Sequence, residues 1–349
     1  MRFYSGKHEH YCGIDLHARS LYVCVVDGEG RVLLHRNLPA SPQALLAALL
    51  PFREGLVVAA ECMHCWYWVA DLCAEEGIPF VLGHALFMKA IHGAKAKNDR
   101  IDSEKIAQLL RSGLMPQAYV YPREMRSTRD LLRRRSYLVR QRTELLSHVQ
   151  TVNNQHNLPA LEKRITAEAN HAAVLDRFAN EPQLAASIGA DCAIIDAIED
   201  QIRRLELHLE RRAKVQDAQA FYLLRSMPGI GKILALTILY EIHVIDRFPT
   251  VGDYASYARL VKCAHSSAGK MSGYGGAKMG NVHLKWAFSE AAVLFLRANP
   301  RGKQLLARLE KKHSKAKALS ILAHRLGRAV YHILKRKQPF DAERLYAAA

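Results

Sequence analysis

Two aspartates near residue 100, Asp99 and Asp102, have the type and spacing to hold a metal ion. Residues three apart lie on one face of a helical turn, and the apolar residues that follow predict a helix from Asp99 to Ser112. Adjacent carboxylates repel each other, whereas a hard cation such as Mg²⁺ binds oxygen ligands and reverses that cost. Lys97 and Arg100 beside them would suit a phosphate group. The alternative is a solvent-exposed helix start, where aspartate is favoured in any case.

The residues before this helix predict the elements that must position it. The predicted strands are, in order, Tyr11–His17, Leu21–Val26, Val32–Arg36, Leu56–Ala60 and Pro79–Leu82, with helices over Pro42–Leu50 and Trp66–Glu76. The first three strands follow one another with tight turns and so form an antiparallel meander. Three antiparallel strands followed by alternating helix and strand is the order of an α/β ribonuclease H-like fold.

Two more carboxylates lie on the predicted core strands. Asp15 is in the middle of the first strand, where a buried charge needs a partner or a metal, and Glu61 follows the fourth strand. In a ribonuclease H-like sheet these strands are neighbours, so both carboxylates can meet Asp99 and Asp102 at one end. Four acidic groups there could hold two Mg²⁺ ions about 4 Å apart, flanking a phosphodiester. The alternatives are a strand-edge carboxylate at Asp15 and a loop-facing one at Glu61.

The composition of the chain favours a nucleic-acid partner. The 349 residues carry a formal charge of +17 with a pI of about 9.6, an excess typical of proteins that bind nucleic acid. Aromatic residues make up only 8%, so contacts with phosphates should outweigh base stacking. The seven cysteines are odd in number and mostly lie in apolar runs, which indicates a reducing cytoplasm. No apolar run is long enough to span a membrane, so we expect no membrane partner.

The middle of the chain is basic and helical. One long helix is predicted over Arg123–Gln150 and a second over Asp191–Ala218, and two such helices can pack as an antiparallel coiled-coil arm. The first helix carries eight arginines, more than solubility needs, so we expect it to contact a nucleic-acid backbone. The candidate contacts are Arg126, Arg129, Arg133, Arg134 and Arg140. A solvated charged face is the usual alternative, and the apolar stripe of the helix could equally serve dimerisation.

The carboxy-terminal part contains a turn of the helix-hairpin-helix type and a glycine-rich basic loop. The turn is Pro228-Gly229-Ile230-Gly231, whose glycines would let the backbone approach a phosphate at the start of the next helix. The alternative is a tight turn between packed helices. The basic loop follows Ser266-Ser267-Ala268-Gly269-Lys270. The candidate phosphate contacts in these two segments are Gly229, Gly231, Lys232, Lys270 and Lys278.

Three motifs together resemble the DEDD transposases of bacterial insertion sequences, which are relatives of the RuvC Holliday-junction resolvase and of the Piv DNA invertase. The motifs are Gly13–His17, Ala60–Glu61 leading into Trp66–Val69, and Lys97–Asp102. Each motif is weak alone, but their order and spacing together are specific, and the resemblance covers nearly the whole chain. It implies that the four acidic metal ligands of the family are Asp15, Glu61, Asp99 and Asp102.

The same resemblance implies a serine nucleophile. In this family a serine just before a Gly-Gly-Lys attacks a phosphodiester and becomes covalently linked to DNA. Alignment on Gly269-Lys270 selects Ser267, although Ala268 stands where the family has glycine and Ser266 leaves the register open. A free hydroxyl is a poor nucleophile and needs a base or a metal, for which the acidic site is the natural source. Members of the family are similar in using a structured guide RNA and in working as dimers or tetramers.

We therefore predict a transposase or site-specific recombinase in three parts. Residues 1–115 form a RuvC-like catalytic domain with two Mg²⁺ ions, residues 116–220 a coiled-coil arm, and residues 221–349 a mainly α domain with the serine loop. Its partners would be donor and target DNA, a guide RNA and further copies of the chain. The rival functions are a RuvC-like junction endonuclease that uses water and forms no covalent adduct, and a nucleic-acid-binding protein without catalysis.

Overall fold

The computed structural model of the chain describes residues 2–91, 98–162, 164–267, 270–275 and 279–347. The chain divides into two compact units, Met1–Arg123 and Glu124–Ala349. The second unit contains most of the predicted arm together with the whole predicted carboxy-terminal domain. Among the described residues, no helix combines the length and the apolar character needed to cross a membrane.

The amino-terminal unit is built on a mixed five-stranded sheet. Its strands are β1 His10–Leu16, β2 Ser20–Asp27, β3 Val32–Pro39, β4 Leu56–Glu61 and β5 Phe80–Gly83, and its helices are α1 Pro42–Leu49, α2 Tyr67–Glu75, α3 Ala85–Ile91 and α4 Asp99–Arg111. The strand order is β3-β2-β1-β4-β5, with β1 antiparallel to β2 and parallel to β4. The predicted pairing of the first and fourth strands is confirmed, and the arrangement is compatible with a ribonuclease H-like fold.

Alternate residues of β1 face two different cores, one on each side of the sheet. Ile14 packs in the core that contains Leu45 of α1, whereas Tyr11 packs in the core that contains Ile106 and Leu110 of α4. This is the period of two that a strand imposes on its side chains. Helix α4, which carries Asp99 and Asp102, therefore covers the face of the sheet to which the odd-numbered residues of β1 point.

Gly13 of β1 is where helix and sheet approach most closely. A Cβ atom at this position would come within 3.0 Å of the backbone nitrogen of Ala107 and the backbone oxygen of Ser103, both in α4. Real Cβ atoms essentially never make such contacts with backbone, so the helix can lie here only because residue 13 has no side chain. The distance between β1 and α4 sets the spacing between Asp15 and the aspartates of the helix.

The close approach predicts that Gly13→Ala destabilises the protein by about 1–3 kcal/mol, because an added methyl group overpacks a backbone contact that cannot rotate away. Thermal unfolding measures this cost. Gly28→Ala is the matched control, since no described atom lies within 4 Å of a Cβ built there. Equal melting temperatures for the two variants would contradict the proposed contact.

The carboxy-terminal unit begins with two long helices, α5 Arg123–Gln155 and α7 Pro182–Gln216, with the short α6 His171–Asp176 between them. The ion pairs that join α5 to α7 are Arg135–Glu206, Arg142–Glu199 and His148–Asp191. The residue numbers rise along one helix as they fall along the other, so the helices run antiparallel, as predicted. Coiled-coil packing between them remains a prediction.

The bounds of both long helices differ from the predicted ones. The second begins at Pro182, nine residues before the predicted start at Asp191. Proline is tolerated at the first helical position, because the missing N–H has no partner within the helix there. The first helix continues from the predicted end at Gln150 to Gln155.

The rest of the unit is mostly helical, as predicted. The helices are α8 Ala218–Arg225, α9 Lys232–Ile242, α10 Val251–Tyr257, α11 Val282–Phe295, α12 Pro300–Glu310, α13 Lys315–Arg336 and α14 Ala342–Ala347, and the strands are β6 Cys263–Ser267 and β7 Lys270–Gly275. One hydrophobic core joins α9, α11 and α13 and also takes in Leu209 and Ala213 of α7. Helix α9 is buried from Leu234 to Ile242, including the charged residue Glu241.

Candidate catalytic site and nucleic-acid interface

The sheet places Asp15 and Glu61 side by side. Ile14 of β1 pairs with Ala60 of β4 in parallel register, so the next residue of each strand is one of the two acids. Ile14 and Ala60 pack in the core with α1 and α2, and the alternation of a strand therefore directs Asp15 and Glu61 to the other face. That face is the one covered by α4.

The first turn of α4 carries two more carboxylates, Asp99 and Asp102, both of which interact electrostatically with Asp15. Asn98 caps the helix, and its Oδ1 accepts a hydrogen bond of 2.8 Å from the backbone N–H of Ile101. An Asn cap satisfies one of the free donors at a helix start, and so holds Asp99 and Asp102 in a fixed first turn. Asp102 also pairs with Lys105, whose Nζ lies 3.4 Å from Asp102 Oδ1.

His17 joins this cluster, which the sequence analysis did not anticipate. Its Nε2 lies 3.5 Å from Oδ2 of Asp15 and 3.5 Å from Oδ2 of Asp99. The potential ligand atoms of Asp15, His17 and Asp99 all lie within 4.8 Å of one another. Part of the signal was available in the sequence, because His17 follows Asp15 by two residues and the predicted strand Tyr11–His17 would direct both side chains to one face.

The electrostatics of the cluster show carboxylates that repel one another. Burial raises the pKa of Asp15, the nearby His17 lowers it, and the negative charges of Asp99 and Asp102 raise it again. The net direction is upward, so ionisation of Asp15 is less favourable here than in water. A donor set of carboxylate oxygens with one imidazole suits a divalent cation, whose charge would relieve this repulsion.

The candidate nucleophile lies on the small hairpin of the second unit. Ser267 is the last residue of β6 and pairs with Lys270, the first residue of β7, while Ser266 pairs with Met271. Ala268, Gly269 and Lys278 lie outside the described residues. The backbones of Ser267 and Lys270 therefore lie next to each other, at the end of β6 and the start of β7.

Gly280 and Asn281, which follow the hairpin in the chain, are hydrogen-bonded to the last residue of α10 and to the segment just after it. The backbone N–H of Asn281 donates to the carbonyl of Tyr257 at 2.6 Å, and Arg259 Nε donates to the carbonyl of Gly280 at 2.9 Å. The Asn281 side chain caps α11, where its Oδ1 accepts from the N–H groups of His283 and Leu284. The chain leaving the hairpin is thus fixed where α11 begins.

The buried carboxylate of Glu241 connects Asn281, at the start of α11, to the arginine-rich helix α5. Glu241 is 1% exposed, and its Oε2 accepts a 2.7 Å hydrogen bond from Asn281 Nδ2 and a 3.0 Å bond from Arg129 Nε. Its Oε1 accepts from Arg133 Nε at 2.7 Å, and Arg133 Nη2 reaches Oε2 at 2.9 Å. Burial alone would raise the pKa of Glu241, but the hydrogen bond from Arg133 and the charges of both arginines lower it to about 2. Glu241 is therefore ionised and fully paired.

This network changes the expected role of the arginines on α5. Arg129 and Arg133 are bound to Glu241, and Arg126 is only 6% exposed. Arg134 and Arg140 are exposed and lie 4.8 and 6.0 Å from the ring centre of Tyr137. Of the five arginines proposed from the sequence, these two are the ones that present their charge on the surface.

The predicted helix-hairpin-helix turn between α8 and α9 has a packing role. Gly229 has a φ of +87°, and a Cβ there would come within 3.0 Å of the backbone of Ala291 and Phe295 in α11. Lys232 Nζ lies 2.8 Å from Glu210 Oε2, so its charge has an internal partner. Gly231 is the N-cap of α9 in extended conformation. These contacts explain the glycine and the lysine without a phosphate, and a phosphate contact remains a prediction.

A mixed five-stranded sheet with acidic side chains gathered between β1 and α4 is compatible with the ribonuclease H-like class of nucleic-acid-processing domains. Residues 12–157 match a family model described as a transposase of the DEDD IS110 type, and residues 222–307 match one described as a transposase of the IS116/IS110/IS902 family. Together the two matches span more than half of the chain. The chain belongs to the IS110 family of transposases, enzymes that cleave and transfer DNA strands.

Two relatives support this placement. The chain is 25% identical to the transposase for insertion sequence element IS1111A of Coxiella burnetii over 290 residues. This alignment covers 82% of this chain and 77% of the relative. Over 342 residues it is 25% identical to a probable family 20 transposase of Pseudomonas aeruginosa, covering 93% of this chain and 96% of the relative. Both alignments extend across the two units.

Proposed function

We propose that this transposase cleaves and rejoins DNA by using the acidic site around Asp15 together with Ser267. The observation that carries the proposal is the convergence of Asp15, His17 and Asp99, whose ligand atoms lie within 4.8 Å of one another. A covalent intermediate would conserve the energy of the broken phosphodiester, so the reaction requires no nucleotide cofactor.

Two Mg²⁺ ions are the proposed cofactors of the acidic site. Asp15, Glu61, Asp99 and Asp102 would hold them, because hard cations prefer carboxylate oxygens and because these side chains share one face of the sheet and one helix start. When bound, such ions polarise the phosphate and stabilise charge on the attacking and leaving oxygens. The chain itself holds the acids in place, through the Asn98 cap of α4 and through the pairing of β1 with β4.

Ser267 is the proposed nucleophile. Its Oγ would form a bond to phosphorus while the bond from phosphorus to one DNA ester oxygen breaks, and the leaving DNA oxygen takes the proton that the serine loses. Attack by a DNA hydroxyl on the resulting phosphoserine would reverse these changes and rejoin the strand. The hydrogen bonds of Gly280 and Asn281 support this role, because they fix the segment that follows the serine hairpin to the end of α10 and the residue Arg259.

Covalent trapping tests this assignment directly. With Mg²⁺ and cleavable DNA, Ser267→Ala is expected to abolish the protein–DNA adduct and to lower strand transfer by at least about a thousandfold, because the covalent intermediate cannot form. Ser266→Ala is the matched control, one residue away on the same strand, and should retain the adduct. Mass spectrometry of the trapped peptide identifies the modified serine.

Three outcomes of the trapping experiment would reject the assignment. An adduct that persists in Ser267→Ala but is lost in Ser266→Ala would move the nucleophile by one residue. Cleavage that persists in both variants without any adduct would instead indicate a junction-type endonuclease that uses water. Complete absence of cleavage in the unaltered chain, with DNA binding retained, would leave a binding protein without catalysis.

The proposed partners follow from the charge and from the reaction. A formal charge of +17 suits donor and target DNA and a structured guide RNA, and the exposed Arg134 and Arg140 beside Tyr137 are proposed backbone contacts on α5. Two cleavage sites for each crossover require at least two copies of the chain, so we propose a dimer or tetramer acting in the cytoplasm.

A further inference from the structure

A basic groove lies at the carboxy-terminal end of the second unit, between α13 and α14. It has a volume of about 800 Å³ and is lined by both helices and by the segment that joins them. Its basic lining residues are Arg325, Arg328, His332 and Arg336 of α13 and Arg344 of α14. The groove belongs neither to the acidic site nor to the serine hairpin.

The basic residues of α13 form one stripe along the groove. Arg325, Arg328, His332 and Arg336 follow one another at spacings of three or four residues, which places them on one helix face. Burial and the positive charges of Arg336, Arg328 and Arg344 lower the pKa of His332, so these three guanidinium groups act on the same ring. The groove is therefore a region of concentrated positive charge.

The acids that line the groove are already paired. Asp341 binds Arg344, with Nε and Oδ2 3.1 Å apart, and Glu343 binds Arg301, with Nη2 and Oε2 3.0 Å apart. Within the described part of the chain, Arg325, Arg328 and Arg336 make no ion pair. The groove thus keeps three arginine charges that the protein does not neutralise.

One guanidinium nitrogen of a residue that lines the groove also lacks a hydrogen-bond partner. Nη1 of Arg325 is shielded from solvent and donates to no acceptor among the described residues. A buried donor without an acceptor costs free energy, because it loses its hydrogen bonds to water without replacing them. A bound anion in the groove would pair with the exposed guanidinium groups of Arg328 and Arg336.

The length of the stripe indicates which anion fits. Arg336 follows Arg325 by eleven positions in the helix, a rise of about 16 Å, which is longer than one phosphate group. The planar guanidinium group of arginine can donate two parallel hydrogen bonds to the oxygens of one phosphate. We propose that this groove binds the phosphodiester backbone of a nucleic-acid strand, contacting successive phosphates through Arg325, Arg328 and Arg336. The proposal rests on the proposed function only in that the transposase handles nucleic acid, and it requires no catalysis.

A binding assay with the full chain tests the groove. The probes are a single-stranded DNA and a single-stranded RNA, each of about 20 nucleotides and of the same sequence, and affinity is measured by fluorescence anisotropy in EDTA. The combined variant Arg325→Gln, Arg328→Gln, Arg336→Gln is expected to lose at least about tenfold in affinity for one or both strands. The slope of log K (the association constant) against log salt should also become less steep by about 2, the value expected for three lost phosphate contacts on a single strand. Loss with only one of the two probes supports the proposal and identifies the strand.

The control removes the same charge elsewhere in the same unit. Lys303→Gln, Arg308→Gln, Lys311→Gln changes three exposed cations on and just after α12, outside the groove. An unchanged affinity in the groove variant, or an equal loss of affinity and slope in both triple variants, would overturn the proposal. The exposed single variant Arg328→Glu keeps the test valid if the triple variant unfolds. Because EDTA prevents metal-dependent chemistry, failure of the acidic site or of Ser267 cannot affect these results.

Discussion

Asp15→Asn is expected to lower DNA cleavage and strand transfer by at least about a thousandfold while leaving the fold intact. Asparagine matches aspartate in shape but removes the negative charge between His17 and the carboxylates of α4. The variant should therefore bind divalent cations much more weakly. Cleavage assays with Mg²⁺ measure the first effect, and the rise in melting temperature on adding Mg²⁺ measures the second.

The thermal measurement without metal gives this prediction a second readout. Asp99 and Asp102 raise the pKa of Asp15, which means that the ionised carboxylate is repelled by them. Removing that charge should leave the melting temperature in EDTA unchanged or raise it. Glu54→Gln, an exposed carboxylate of the same unit, is the control and should retain both cleavage and the response to Mg²⁺. Cleavage by Asp15→Asn within tenfold of the unaltered chain would reject the acidic site as catalytic.

Glu241→Gln is expected to destabilise the carboxy-terminal unit by about 3–5 kcal/mol, the usual cost of removing one partner from a buried ion pair. The neutral amide leaves the charges of Arg129 and Arg133 without their carboxylate in a site where Glu241 is 1% exposed. Denaturant unfolding measures the change. Asp200→Asn breaks an exposed pair with Arg204 in the same unit and should cost less than about 1 kcal/mol.

The pH dependence distinguishes loss of the charge from loss of packing. The pKa of Glu241 is lowered from 4.5 to about 2 in the folded protein, so its ionised form stabilises the fold. This contribution, about 3 kcal/mol, is fully present above pH 4.5 and is lost as the pH falls towards 2. The difference in stability between the unaltered chain and Glu241→Gln should therefore shrink over that range. A difference that stays constant from pH 7 to pH 3 would contradict the assigned role of the charge.

The amino-terminal unit was predictable from the sequence because its signals are local. The period of two in β1 to β3, the turns between them and the cap at Asn98 are each contained in a few consecutive residues. Once the strand order is known, the positions of Asp15 and Glu61 follow from register. The prediction omitted His17, because a histidine beside an acid has many roles and only the position of Asp99 shows that it lies between two carboxylates.

The basic helix α5 was predictable as a helix but not in its contacts. Arginine spacing shows which residues share a face, and it does not show which of them meet a buried acid on another helix. Arg133 contacts Glu241 across 108 residues of sequence, and Gly229 is required because α11 packs against its backbone. Neither contact can be predicted from the residues that neighbour Arg133 or Gly229 in the sequence.

The sequence by itself therefore determined the order of strands and helices, the excess of positive charge and the identity of the acids on β1, β4 and α4. These properties depend on side-chain periodicity, caps and composition, which act between near neighbours in the chain. Only the tertiary structure decided which charges pair internally, as at Glu241, and which remain available to a ligand, as along α13. The physical reason is that pairing of buried charges depends on how distant helices pack, and that packing is chosen by the whole core at once.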